Sequence, residues 1–559
     1  MMRWFVFAGL CLTIVVLVFA PVATVLGLGV DPFLMREIFS HPVLRAALGN
    51  SLLIATLVTA GCLAMTLPLA WWGWRWRFAG KGVAEALLLG PLILPPFVGA
   101  LGVFQFAGHY GVLNTFGSYL GWWAVGGGPD WLGDHRLLFV VLIEILGLYP
   151  ILYLTLTASL AKLDPATIEA AQILGSSRGT VFRRVVLPQL KPGLLAGGTI
   201  VFVWSFTELG TPLMLAFDRV APVVVFNGLA DLHQNHLPLA LVVVMLALSL
   251  GLYGLGRWAA GRQDDALVVK GASGDGSLRL TGWRAVAAWL PFLFVAGLAA
   301  APHLGVVLMG VAGDWYRTLL PATVTADHYR AALAHPAVVP AIINSLNYSG
   351  LATVLAVGLA LAIGWVVVRW KLPGARWLDA AAMVPLAVPG LIMAFGFLAL
   401  AVGLSAAVPA LKPWLDPQLN PGPILVIAYA VRRLPHALRA VSAGLGQAPV
   451  ALEEAAATCG AGPLTRLRRV TVPLIAGSLA AGAILTFSAS MLEVSDSLIL
   501  AQSRAHWPVT KVIYDLVGVL GPGPALACAF ATWAMLFLAA CLAAAAVFLG
   551  KGPTALFRS

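Results

Sequence analysis

The chain has 559 residues, of which 60% are hydrophobic and only 10% charged, and its mean hydropathy is +0.93. A soluble globular domain carries about 25% charged residues, so a water-soluble fold of this length would expose large apolar patches, and the bilayer is the natural solvent instead. The net charge of +11 raises nucleic acid as a partner, but membrane proteins retain Lys and Arg on the cytosolic side for a different reason, and topology decides between the two.

Twelve near-continuous apolar runs predict spanning helices. In chain order they cover 4–30, 50–73, 83–108, 137–160, 193–217 and 238–256, then 285–311, 344–368, 378–404, 423–445, 476–502 and 522–549. The first run, Trp4 to Val30, is longer than the 7–15-residue core of a signal peptide and reads as a retained helix. With the N-terminus inside, the inner segments hold 22 of the 34 Lys and Arg residues and the outer loops nine. This bias orients the chain with both termini cytosolic and accounts for its basicity without nucleic acid. Four of the five cysteines (Cys11, Cys62, Cys528, Cys541) lie in apolar runs and Cys459 in a segment placed in the cytosol, so no disulfide framework is implied.

The two sets of six runs are a repeat. His41-Pro42, Asn50-Ser51-Leu52, Glu85, Pro91 and Pro95 recur as His335-Pro336, Asn344-Ser345-Leu346, Asp379, Pro385 and Pro389, all offset by 294. Further on the offset becomes 285, pairing Pro150 with Pro435, Glu169 with Glu454, Gly175 with Gly460, Pro188 with Pro473 and Glu208 with Glu493. The change falls in an outer loop near 109–135, where length variation is cheap. The reading is an all-α membrane protein of two tandem six-helix halves, 1–260 and 284–559, joined by a cytosolic linker, 261–283, containing Gly271-Ala272-Ser273-Gly274.

Between the fourth and fifth runs of each half lies a long cytosolic segment. The first copy reads Asp164-Pro165-Ala166-Thr167-Ile168-Glu169-Ala170-Ala171, then Gly175, Arg183-Arg184 and Pro188. The second reads Pro449-Val450-Ala451-Leu452-Glu453-Glu454-Ala455-Ala456, then Gly460, Arg468-Arg469 and Pro473. Asp164 is placed to cap a short helix with Pro165 at its first position, and Gly175 permits the turn that ends it. Ala448 offers no equivalent cap in the second copy.

These paired segments resemble the EAA loops of binding-protein-dependent ABC importer permeases, and the resemblance extends over essentially the whole chain. It implies the type I importer permease fold. It also implies that Glu169, Ala170, Ala171 and Gly175, with Glu454, Ala455, Ala456 and Gly460, dock an ATPase homodimer on the cytosolic side. A periplasmic or extracellular solute-binding protein would deliver substrate, and the location would be the bacterial inner membrane. The chain itself lacks a Walker A motif: Gly80-Lys81 and Gly550-Lys551 are each followed by Gly. It is therefore read as no enzyme and without a cofactor, with ATP and Mg bound by the partner.

Ionisable residues at membrane depth are functional candidates. They are Glu144 and Glu208 in the first half, and Arg432, Arg433, Glu493 and Asp496 in the second. Two uses stay open: ion pairs that fix the helix arrangement, or a translocation path and its gate. Neighbours on a helix diverge by about 100°, so Arg432 and Arg433 are not expected to face one pore together. The segments Tyr429–Pro435 and Ser490–Asp496 look like those of fused ferric-iron permeases, within a larger group that includes thiamine, phosphonate, polyamine and sulfate systems. Iron is the expectation by that analogy. A secondary transporter built from two six-span repeats is the alternative of another class, but it has no use for two such loops. No metal-ligand spacing emerges, and His109, His233, His236 and His506 read as loop residues.

Overall fold

The computed structural model describes residues 2–92, 96–133, 135–231, 237–260 and 278–548. Most of the expected linker lies outside these, as do Pro95, His233 and His236.

The first half contains α1 (Met2–Ile14), α2 (Ala20–Gly29), α3 (Pro42–Arg75), α4 (Lys81–Leu88), α5 (Pro96–Ala107), α6 (Val112–Tyr119), α7 (Arg136–Leu160), α8 (Pro165–Ile173), α9 (Leu187–Phe206), α10 (Ala221–Asn227) and α11 (Leu237–Ala260). The second contains α12 (Leu290–Val311), α13 (Val338–Gly364), α14 (Ala375–Met383), α15 (Gly390–Ala407), α16 (Gly422–Gln447), α17 (Val450–Thr458), α18 (Ala476–Met491), α19 (Ser495–Leu500), α20 (Val509–Val517) and α21 (Gly523–Phe548). The architecture is all-α, as a lipid solvent requires, because a helix satisfies its backbone groups internally. Two short strand pairs accompany the helices: Trp76–Arg77 runs parallel to Leu278–Arg279, with Trp76 opposite Leu278, and Ala312–Asp314 pairs antiparallel with Thr323–Val324.

Among the described residues nine helices are long and apolar enough to cross a membrane, or ten if Pro463–Leu474 and Ala476–Met491, bent 78° apart, form one span. The other two expected spans depart for identifiable reasons. The third run of the first half is divided, with α4 ending at Leu88 ahead of Pro91. Helix α16 is 26 residues long but carries Arg432, Arg433 and Arg439.

The core is shared by the two halves, because their first helices are exchanged. Helix α2 packs on α15 of the second half, and α12 packs on α5 of the first. The two crossings use the same device. A Cβ on Gly102 would run into the Pro302 carbonyl oxygen, and one on Gly396 would lie 2.6 Å from that of Pro21. Gly102 and Gly396 are related by the 294 offset read from the sequence. Small residues let backbones approach where lipid supplies no hydrophobic drive for helix association.

The recurrent Asn-Ser pair also acquires a role. Asn50 Nδ2 donates to the Arg219 carbonyl (2.8 Å), and Ser51 Oγ accepts from the Ala221 amide (2.9 Å). In the second half Asn344 Nδ2 donates to the carbonyls of Ala505 (3.0 Å) and Trp507 (3.2 Å), and Ser345 Oγ accepts from the Val509 amide (2.8 Å). Each pair ties its half's second long helix to the short helix, α10 or α20, that precedes the last span. At the base of the first half, the Lys81 ammonium lies 3.7 Å from the buried Glu85 carboxylate.

Candidate coupling helices and a buried charge cluster

Helix α8 begins as its sequence requires. Asp164 Oδ1 accepts from the Ala166 amide (2.9 Å), and Pro165 occupies the first turn. It ends at Gly175, whose φ of +80° is left-handed, with the Ser176 amide on the Ala171 carbonyl (3.0 Å) and the Gly175 amide on that of Gln172 (2.9 Å). Helix α17 begins at Val450 after Pro449, without a side-chain cap. Its end repeats the first: Gly460 has φ +82°, the Ala461 amide meets the Ala456 carbonyl (3.0 Å) and the Gly460 amide meets that of Ala457 (2.9 Å). A π-helical turn follows each copy, at Phe182–Val186 and Leu467–Thr471. Glu169, Ala170, Gly175, Glu454, Ala455 and Gly460 are all exposed, and Ala171 and Ala456 half-buried.

Two features of these helices emerge only in the structure. Ile173 and Leu174 stand 86% and 85% exposed at the tip of α8. Two adjacent apolar residues just before the terminating glycine are the available signal. The second feature is that Glu453, next to Glu454, points the opposite way. It is buried, its Oε1 accepts from Arg369 Nε (3.0 Å) and Thr471 Oγ1 (3.1 Å), and Arg369 also donates to the Ala448 carbonyl (3.1 Å). At the 285 offset the first half has Ile168 and Val186 instead of Glu453 and Thr471, both buried. At these two positions one helix is held by a carboxylate and a hydroxyl, the other by apolar side chains.

The charges at membrane depth converge where the fifth run of each half is interrupted. The sequence predicts continuous helices here, but α9 stops at Phe206 and α18 at Met491, and each resumes as a short helix (Gly210–Met214 and Ser495–Leu500). Glu208 sits in one break, its Oε1 accepting from the amides of Gly210 (3.2 Å) and Thr211 (3.4 Å). Glu493 sits in the other. A Cβ on Gly210 would lie 3.1 Å from Val494, so the two breaks abut across the halves. Irregular backbone at this depth is tolerated only inside protein or along a cavity.

Arg432 Nη1 donates to Glu493 Oε1 (2.6 Å) and lies 3.5 Å from Asp496 Oδ2, while Arg433 pairs with Glu493 Oε2 and donates to the Ala489 carbonyl (3.0 Å). The backbone directions of the two arginines diverge, but their long side chains close on one carboxylate. Glu144 lies apart from this network. It is buried in α7 and accepts from Ser205, and its Oε1 has no hydrogen-bond partner among the described residues. The halves differ sharply: Gly147-Leu148 stand where the second has Arg432-Arg433, and Glu144 where it has Tyr429.

On the side opposite the coupling helices, α10 and α20 meet. The rings of Phe226 and Tyr514, related by an offset of 288, pack edge to face with centroids 6.1 Å apart. Lys511 Nζ donates to the Leu498 carbonyl (2.9 Å) and lies 5.7 Å from the centre of the Phe226 ring. Burial pushes its ammonium down to about 8, against the pull of Asp515. Lys511 falls in an outer loop by sequence, and this closure is not visible there, because the aromatic pair obeys neither the 294 nor the 285 offset.

Tandem halves, paired glycine-terminated helices on one face and ionisable groups at the interface define a membrane permease of the importer type. The family of binding-protein-dependent transport system inner membrane components matches residues 2–264 and 354–547, and the chain belongs to it. Among its relatives, the ferric transport system permease protein FbpB of Actinobacillus pleuropneumoniae is 25% identical over 472 residues. That match covers 80% of this chain but 63% of the relative, less than two thirds of its length. A putative ferric transport system permease, FbpB 1 of Haemophilus influenzae, is 24% identical over 528 residues, covering 90% and 79% of the two chains. The sulfate permease CysT of Salmonella typhimurium is 31% identical over 180 residues, covering 32% of this chain and 62% of its own.

Proposed function

We propose that the chain is the complete translocation unit of an ATP-driven importer, with halves 1–260 and 284–559 around the linker 261–283 and both termini in the cytosol. An ATPase homodimer, binding ATP and Mg itself, docks on α8 and α17, and a solute-binding protein delivers substrate to the opposite face. The observation that carries this reading is the pair of exposed helices with identical glycine-terminated ends (φ +80° and +82°). The same geometry twice on one chain fits two copies of one partner. A secondary transporter has no need of it.

The test is the double variant Glu169→Ala/Glu454→Ala. Both side chains are exposed, so insertion and folding should be unchanged while co-purification with the ATPase and ATP-dependent uptake fall. Wild-type assembly and uptake would refute the docking assignment.

Ferric iron is the substrate best supported. The abutting breaks gather three buried or half-buried carboxylates (Glu208, Glu493, Asp496) against two guanidiniums (Arg432, Arg433). That small acidic excess fits a cation better than sulfate or a phosphonate. Two relatives with extended matches are named for ferric transport. Radioiron uptake should depend on the chain in cells stripped of other iron importers. Iron uptake indifferent to its deletion, alongside lost thiamine or polyamine uptake, would reassign the substrate.

A further inference from the structure

We propose that α6 and the turn after it form a lipid-seated element, lying in the membrane interface opposite the coupling helices with its apolar face against the bilayer. The helix falls in the stretch near 109–135 where the halves differ in length.

Its polarity is the reverse of a water-facing helix. The inward residues are Asn114, Thr115 and Gly117, all buried. Asn114 Nδ2 donates to the carbonyls of His109 (2.8 Å) and Pro129 (2.9 Å), its Oδ1 accepts from Trp131 Nε1 (2.7 Å), and Thr115 donates to the Gly111 carbonyl (2.9 Å). The outward residues are Leu113, Phe116 and Leu120, a stripe at spacings of three and four, with Tyr119 and Trp122 beside it. Phe116 is 47% and Leu120 50% exposed. An aqueous helix turns such a stripe inward.

The surroundings say what covers it. No Asp, Glu, Lys or Arg occurs between Glu85 and Asp130. The stripe continues a membrane-exposed surface, because α6 follows directly on α5, where Phe104 is exposed, and α5 packs on α12, where Leu304 is exposed. Tyr and Trp concentrate where bilayer meets water. Arg317 lies over the rings of Tyr110 (4.5 Å) and Tyr316 (5.1 Å), so its cation and the apolar stripe divide the segment as the headgroup boundary would. The corresponding stretch of the second half carries Lys412 and Asp416, so this seat belongs to one half alone. The inference needs only membrane residence and stands apart from the importer reading.

The experiment places nitroxide labels at Phe116→Cys and Leu120→Cys, with Asp130→Cys as a water-exposed control. Exposed Cys459 is replaced by Ser in the background. The full chain sits in vesicles of phosphatidylethanolamine and phosphatidylglycerol, and collision rates with oxygen and with a soluble nickel chelate are compared. Labels at 116 and 120 should collide more with oxygen than with the chelate, and the label at 130 the reverse. If 116 and 120 match 130, the face is in water and the proposal is overturned. It is equally overturned if chelate access at 116 and 120 is lost only when a solute-binding protein is added, since the face would then serve a protein.

Discussion

Replacing Glu453 by Ile should be strongly destabilising, although Ile is the residue that the first half uses at the equivalent position. The side chains of Arg369 and Glu453 are 8% and 9% exposed, and the carboxylate is the counter-ion of the guanidinium at 3.0 Å. Removing one member of such a pair leaves a buried charge uncompensated and costs about 3–5 kcal/mol. The remaining hydrogen bond, to the Ala448 carbonyl, recovers little of that. The triple variant Arg369→Met/Glu453→Ile/Thr471→Val removes the charge and both hydrogen-bonding partners together. By the same physics it should lie near wild type or up to about 1–4 kcal/mol above it. Thermal unfolding in detergent measures the stability, and ATPase co-purification reports whether α17 keeps its orientation. Equal stability of wild type and Glu453→Ile, or a triple variant as damaged as the single one, would refute the argument that the network seats this helix.

Three other outcomes are expected. Phe226→Cys/Tyr514→Cys, cross-linked by a short bismaleimide, should abolish uptake and reduction-insensitively hold the face opposite the coupling helices shut; unimpaired uptake by the cross-linked protein would show that α10 and α20 need not part. Gly102→Val, whose Cβ would meet the Pro302 carbonyl, should cost about 1–3 kcal/mol or prevent folding, whereas Gly9→Val, where no atom lies within 4 Å, should be tolerated; detergent-stable yield and melting temperature distinguish them. Lys511 binds its proton more weakly in the fold than in the unfolded chain, so its buried charge opposes folding below about 8, and stability should rise with pH from there toward the free-lysine value of 10.5. Lys511→Met should remove that slope between pH 8 and 10, and an identical slope in the variant would show that another group titrates.

Much of the site was legible because it is local chemistry. Asp164-Pro165 and Gly175 set the ends of α8 through a cap and a left-handed turn, and both act within one helical turn of themselves. Gly460 did the same for α17 even without a capping residue. The interruption at Glu208 and Glu493 was not legible, since the apolar run continues through it. Only a carboxylate accepting the Gly210 and Thr211 amides, inside protein and away from lipid, makes the break tolerable. Nor could spacing on α16 show that Arg432 and Arg433 meet at Glu493, because side-chain reach outweighs a 100° divergence.

Membrane residence, the helical class and the doubled architecture follow from the sequence by itself. Transfer into lipid depends on composition, and a repeat is visible as an offset. The exchange of α2 and α12 between halves, the abutting breaks, the Phe226–Tyr514 closure and the inverted polarity of α6 were decided only in three dimensions. Each depends on contacts between segments hundreds of residues apart, or on which face of a helix finds protein and which finds lipid, and periodicity along the chain does not encode either.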